Sequence, residues 1–498
     1  MDNSILTLFS VRGNRYFMPI WGASGRFFPL GHQEFNIVRL FSKTPFSYHL
    51  FAVLQLLIFL PVTFIFLRRC QIGYRLPLLL IVTTAPSFVI PFFGLVYPER
   101  NIIFFLIFFF LFLNEFNISK SRWSFCGALI AAQFTLYYKE PVFILISSFA
   151  LSRLLLNFPS QEKSYSCRKM LNFAKQQWLD SSLIILSLIY ILLYAIVTIP
   201  NLGTPYAADI VARNTELMVL GTYLEYNPLL LIFGLVFIVR IANVAIAKKA
   251  FDRFWDPLAL GTLLYGLAYI KLKLISMYYM APVDFLGILY LGWVCNKLLK
   301  TSTKKISLIL FGIIFIGIFI RNLSISSSEI LNSKKYEESN IQLVEFLKNY
   351  SSQNRNRDSV SLLFPSNSNY EVMEFSSFMD YQGLKLHPRN YHKMKAIERE
   401  RSAWVVKTQK PLKEDKCMLY APYKCYYFSA PEPGNLMVFL PKYNGTANGR
   451  NIDRIKNESE MIFQYQPSFS ALEKVLRYWA GPRRIAKDWM NLYVFKVD

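Results

Sequence analysis

The sequence predicts a polytopic α-helical membrane bundle followed by a small C-terminal α/β domain, and three observations predict it. Long apolar blocks fill the first two thirds of the chain. Basic residues gather in alternate connections between those blocks. After Arg321 the composition turns to Ser, Asn, Lys and Glu with alternating apolar positions.

The chain has 498 residues, of which 53% are hydrophobic and only 17% charged, with a mean hydropathy of +0.29. A water-soluble chain of this length carries more charge and interrupts its apolar runs sooner. The run Ile102 to Phe112 has no polar face for water, so it belongs in lipid or against other apolar helices. The formal net charge of +23 would suit nucleic acid or an anionic membrane. Much of the Lys and Arg lies in short loops between apolar blocks, where membrane topology puts it. Membrane lipids are therefore the expected partner, and nucleic acid is not. The first 45 residues show no short apolar block with a small-residue cleavage site, so internal helices direct insertion.

About ten spans are expected, near 48–67, 76–97, 101–116, 123–138, 141–158, 179–200, 227–247, 256–274, 277–296 and 306–320. Several fall short of the ~20 residues a bilayer asks for, so pairs such as 123–138 and 141–158 are expected to be tilted or broken. Loop charge orients them. One side holds Arg68, Arg69, Arg75, Lys120, Arg122, Lys163, Arg168, Lys169, Lys175, Lys248, Lys249, Arg253, Lys297, Lys300, Lys304 and Lys305. The opposite connections between spans hold Arg100, Lys139, Arg213, Lys271 and Lys273. The first set marks the cytoplasm, which gives a multi-pass protein of an inner (cytoplasmic) membrane with its C-terminal domain outside. Cys70, Cys126, Cys167 and Cys295 fall at or near the reducing side. Cys417 and Cys425 fall outside, either as a disulfide or as two unrelated thiols.

Residues 1–47 read as an extracytoplasmic loop, 48–321 as the membrane domain and 322–498 as the outer domain. Arg12, Arg15, Arg26, Arg39 and Lys43 put positive charge outside, against the topology rule. Either this segment folds and binds an anionic ligand, or the chain lacks a first helix. In the outer domain a helix is expected at Tyr336–Tyr350, strands at Ser359–Phe364, Asn435–Leu440 and Leu492–Val497, and a helix at Ala471–Ala480.

Four polar clusters fall at the outer helix ends. They are Asp2 with the stretch Gly25 to Glu34, which includes Arg26 and His32; Tyr97-Pro-Glu99-Arg100; Tyr137-Tyr-Lys139-Glu140-Pro141; and Lys271-Leu-Lys273 followed by Tyr278-Tyr279-Met-Ala-Pro282. Ionisable groups at membrane depth cost a few kcal/mol each and are paired or functional. Glu99 with Arg100, or Lys139 with Glu140, could equally be interfacial charges reaching for headgroups. A lone His such as His32 beside a helix start is more often structural than a base.

The layout resembles the GT-C superfamily of integral-membrane glycosyltransferases, most of all the bacterial relatives of protein mannosyltransferases and aminoarabinose transferases. The resemblance rests on an acidic residue in the first outer loop (Asp2 before Gly-Arg-Phe-Phe-Pro-Leu-Gly), the Lys139-Glu140-Pro141 cluster, Tyr278-Tyr279-Met-Ala-Pro282 in place of an Arg-Tyr-x-x-Pro element, and a soluble domain after the last helix. It covers about 320 residues. It implies transfer of a sugar from a polyprenyl-phosphate carrier to a glycan, lipid or protein acceptor of the cell envelope. It also implies Asp2 as the acidic residue of the catalytic loop if a first helix is missing, and Glu34 otherwise.

Such a transfer needs a carboxylate to remove the acceptor proton, directly or through a divalent metal, and cations to meet the departing phosphate. Asp2 and Glu34 suit the first task. Arg100, Lys139, Lys271 and Lys273 suit the second, with Glu99, Glu140 and Tyr279 orienting them or the acceptor. A phosphate-binding Gly-x-x-x-x-Gly-Lys loop, a His-Glu-x-x-His helix and zinc spacings are absent from the sequence. Two other classes compete: a transporter or flippase of lipid-linked saccharide, which should show internal symmetry or interrupted helices at midplane, and a non-catalytic scaffold with an outer binding domain.

Overall fold

A computed structural model describes residues 20–21, 26–158, 173–201, 214–247, 250–301, 304–353, 359–364, 369–384, 403–408, 427–428, 433–441, 455, 459–480 and 491–497. Asp2, Cys167, Arg213, Cys417 and Cys425 lie outside the described residues. The chain forms two compact units, one of residues 16–38 and 46–326, the other of 39–45 and 327–498 together with 1–15. The two units meet along the chain at 326/327, near the expected end of the membrane domain.

The helical unit opens with a short antiparallel pair, β1 (Ile20–Trp21) and β2 (Arg26–Phe27), and the amphipathic α1 (Gln33–Phe41). Then follow α2 (Pro45–Arg69), α3 (Arg75–Thr84), α4 (Pro86–Phe93), α5 (Glu99–Ser119), α6 (Arg122–Tyr138), α7 (Val142–Asn157), α8 (Trp178–Thr198), α9 (Glu216–Tyr226), α10 (Leu229–Ala247), α11 (Trp255–Lys271), α12 (Ala281–Thr301) and α13 (Lys304–Gln353). Helices overlap each of the expected spans, 76–97 being divided between α3 and α4. Among the described residues six helices are long and apolar enough to cross a membrane, seven if α3 and α4 count as one. Those two meet at a bend of 63°, set by Pro86, whose ring cannot continue a helix and holds Ala85 in extended backbone. The helices α6, α7 and α11 are shorter, at 17, 16 and 17 residues.

The bundle's interior is aromatic and aliphatic, with Phe59, Phe66, Phe109, Phe110, Phe149 and Leu289 all fully buried. Gly261 of α11 lies where helix α7 passes closest, since a Cβ there would stand 2.8 Å from the Leu145 carbonyl oxygen. Opposite the site described below, ion pairs and hydrogen bonds pin the helix ends: Arg153 Nε donates to the Asp180 carboxylate at 3.2 Å and Arg153 Nη2 to the Asn117 side-chain carbonyl at 3.1 Å. Arg240 pairs with Asp256 at 3.0 Å, and Arg69 with Glu115.

In the second unit a six-stranded sheet runs in the order β5-β4-β3-β6-β8-β7. Its strands are β3 (Ser359–Phe364), β4 (Ala403–Thr408), β5 (Tyr427–Phe428), β6 (Leu436–Phe439), β7 (Glu460–Tyr465) and β8 (Leu492–Lys496), with helices α14 (Asn369–Tyr381) and α15 (Ala471–Ala480). The four strands β5, β4, β3 and β6 are parallel; β8 pairs antiparallel with β6, and β7 antiparallel with β8. Alternation sorts the side chains. Leu362, Phe364, Leu436, Val438, Leu492 and Val494 pack with Leu343, Leu347, Phe375 and Met379 from the helices, whereas Leu363, Met437, Phe439, Tyr493 and Phe495 form a second cluster. The expected strands and the helix 471–480 are present; the helix expected at 336–350 is part of α13, which begins at Lys304.

Candidate functional site

The site is built where α1, α5 and the turn between α6 and α7 meet. Leu30 N–H donates to the Tyr137 carbonyl at 3.1 Å, which ties the segment before α1 to the end of α6. Gly31 is required there because a Cβ would sit 2.2 Å from the Phe28 ring. His32 follows in the left-handed region, φ 65°, and its ring stacks on Phe35 at 5.8 Å. Glu34 then falls in the first turn of α1, where a carboxylate also meets the positive end of the helix dipole.

Three ion pairs converge on this region. Glu34 accepts from Asn101 Nδ2 at 2.7 Å and from Arg100 Nη2 at 3.4 Å. Asn101 is held in turn by Gln55 Nε2 at 2.7 Å, from α2. Lys139 Nζ donates to Glu99 at 2.7 Å and stands 4.6 Å over the Tyr279 ring and 5.7 Å over that of Tyr278. Arg26 Nε donates to Glu140 at 2.7 Å, and Phe27 N–H reaches the same carboxylate oxygen at 3.0 Å. Tyr190 of α8 donates to the Phe27 carbonyl at 2.8 Å, closing that side. Glu34, Glu99, Arg100 and Lys139 are buried and Arg26 and Glu140 nearly so. With three cations against three carboxylates the group is formally neutral.

Two features set its chemistry. Arg100 is fully buried, yet among the described residues its Nε and Nη1 have no hydrogen-bond partner, and neither does Oε2 of Glu34 or of Glu99. Buried donors left unmade cost about 1–3 kcal/mol each, more when charged. Burial raises the Glu34 carboxyl above its ordinary range, against the opposing pull of Arg100 and Asn101. Burial, together with the nearby cations Lys139, Arg100 and Arg26, lowers His32 to about 3. His32 is therefore a neutral ring at physiological pH.

The fourth sequence cluster divides. Tyr279 joins the site beneath Lys139 and stacks on Tyr269 at 4.7 Å. Lys271 does not: its side chain is 79% exposed and pairs with Glu216 at 2.8 Å. Lys273 is half-buried, with a left-handed backbone at φ 55° and a carbonyl that accepts from Asn214 at 3.0 Å. Residues 272–276 leave the helix and turn back, which separates Lys271 at the end of α11 from Tyr279.

Sequence reading missed Gln55, Asn101 and Tyr190. The available signal was the side-chain amides of Gln55 and Asn101 within apolar stretches, where polar groups need partners. It also missed Asp284, buried in α12 and accepting from Ser87 at the α3/α4 bend. Among the described residues no three His, Cys, Asp or Glu side chains gather as a metal site.

Fold and site together define a multi-pass membrane protein with a buried, charge-balanced polar centre and a small α/β domain. Against known protein families, curated proteins and solved structures, the chain finds no match.

Proposed function

We propose that the protein is a membrane glycosyltransferase that moves a sugar from a polyprenyl-phosphate donor to a cell-envelope acceptor on the outer side of an inner membrane. The reading includes about ten spans, with α6, α7 and α11 as short or tilted ones, and a C-terminal domain outside. The observation that carries it is the convergence of Glu34, Glu99, Arg100, Lys139 and Glu140 from separate segments into one buried centre. Arg100 supports it further, because a buried guanidinium with two donor positions unmade among the described residues suits an arriving anionic oxygen.

The chemistry asks little more of the chain. The anomeric carbon–phosphate oxygen bond breaks, and its electron pair leaves with the phosphate. The acceptor hydroxyl oxygen bonds to that carbon, and its proton passes to a carboxylate. Glu34 suits the last task because its raised pKa brings it closer to the working pH than an ordinary carboxylate. Arg100 and Lys139 would meet the charge that grows on the leaving phosphate. Glu99 holds Lys139, and Glu140 with Arg26 holds the loop before α1.

The test is turnover by the purified protein in nanodiscs, given polyprenyl-phosphate sugars and envelope acceptors, beside Glu34→Gln and Arg100→Lys. Loss of a base contributes typically 10²–10⁴-fold, so Glu34→Gln should lose at least about 100-fold in kcat. Arg100→Lys should lose activity as well, since a point charge does not replace the planar fork. Unchanged turnover in both variants would overturn the site; movement of intact lipid-linked saccharide without sugar transfer would establish a flippase instead.

A further inference from the structure

We propose that the outer face of α15 lies in the membrane–water interface, against a bilayer that contains anionic headgroups. The helix is well made locally. Ser470 Oγ accepts from the Glu473 N–H at 3.3 Å, and the Glu473 carboxylate accepts from the Ser470 N–H at 2.7 Å. This reciprocal cap fixes its start, and Gly481-Pro482 follows its end in the sequence.

What is unusual is which side faces in. A helix on a soluble domain turns its apolar stripe to the core. Here the inward side carries Arg477, only 5% exposed and 4.1 Å over the Phe469 ring, with Glu473 and Leu476 half-buried beside it. Leu472, Val475, Tyr478 and Trp479 are instead 69%, 52%, 71% and 63% exposed. At about 100° per residue these four share one arc, opposite Glu473 and Arg477. The apolar face points away from its own domain.

Three properties choose the occupant. The chain is a multi-pass membrane protein, so a bilayer is always within reach of a domain that it tethers. Tyr and Trp are the residues that membrane interfaces favour, because each ring has an apolar body and a polar tip. Charge is complementary too: Lys474 is exposed on the same helix, and Arg483, Arg484 and Lys487 follow in the sequence of a chain with formal charge +23, which suits anionic headgroups. A second copy of the chain fits less well. Four such side chains offer on the order of 500 Å², short of the ~800 Å² each partner gives a stable dimer.

The full chain in nanodiscs of phosphatidylcholine and phosphatidylglycerol provides the test. The difference in emission between the native protein and Trp479→Phe isolates Trp479 from the other seven tryptophans. That component should be blue-shifted and should be quenched when the acyl chains carry bromine, with both effects lost in the double variant Leu472→Ser, Val475→Ser. Emission typical of water, unquenched by bromine, would overturn the proposal. So would a blue shift that bromine leaves untouched and that appears only with two copies per disc, which would make a second chain the occupant. Trp479→Phe keeps an aromatic ring, and none of the three positions belongs to the sugar-transfer site, so turnover reports separately on that reading.

Discussion

At the scale of single residues, the centre shows how neighbours in sequence exchange partners in space. Glu99 and Arg100 read as one adjacent pair, Lys139 and Glu140 as another. Consecutive residues at a helix start point in different directions and do not face each other. Glu99 therefore takes Lys139, Arg100 takes Glu34, and Glu140 takes Arg26. The charged positions were legible because each interrupts an apolar run; their pairing was not, because it depends on helix packing over separations of 40 to 114 residues. His32 adds a measurable consequence. Its folded pKa of about 3 lies below the ordinary 6.5, so the unfolded chain binds the extra proton between those values. Stability is complete above pH 6.5 and is lost as pH falls toward 3, at about 1.4 kcal/mol per pH unit. Burial moves Glu34 the other way, which opposes this trend. Comparison with His32→Asn cancels that contribution, and Asn tolerates the φ of 65°. Between pH 7 and 5 the native protein should lose about 2 kcal/mol more than the variant, read as a steeper fall in Tm. Equal pH profiles would remove the buried neutral imidazole from the account.

At the scale of elements, apolar blocks declared the helices plainly, and their interruptions declared the breaks. Pro86 and Pro98 stand at the starts of α4 and α5, and Pro141 precedes α7, where proline's fixed φ and missing N–H do no harm. Less was legible in the sheet. β3, β6 and β8 showed because Val, Leu and Phe run together in them. β4 (Ala403–Thr408) did not, because two residues of its six are Lys and Thr and its parallel partner β3 lies 44 positions away. Helix packing also sets a demand that the sequence does not announce. Gly261 sits where the α7 backbone comes within reach of an added Cβ, at 2.8 Å from a carbonyl oxygen rather than from a flexible side chain. Neither helix can yield locally, so Gly261→Ala should destabilise the bundle despite alanine's better helix propensity, by about 1–3 kcal/mol. Thermal unfolding of the purified protein in detergent checks this. A Tm at or above that of the native chain would show that α7 and α11 separate freely.

For the molecule as a whole, helix ends sort by charge, and loop charge predicts an orientation. The polar centre sits at the ends of α5 and α6 that carry Glu99 and Tyr138. The ion pairs Arg153–Asp180 and Arg69–Glu115 involve the opposite ends of α7, α8, α2 and α5, beside the loops rich in Lys and Arg. Cytoplasmic loops hold positive charge because translocating it against the membrane potential is unfavourable. The end bearing Arg69, Lys120 and Arg153 should therefore face the cytoplasm, and the end bearing Glu34 and Lys139 the outside. Helix α13 begins at Lys304 and runs unbroken from its apolar first part to Gln353, so the C-terminal end should lie on the side opposite Lys304 and Lys305. An epitope placed after Asp498 should then be recognised by antibody on intact spheroplasts, whereas one placed in the 159–172 connection should be recognised only after permeabilisation. The reverse pattern would turn the protein over, and with it would move the polar centre to the cytoplasmic face.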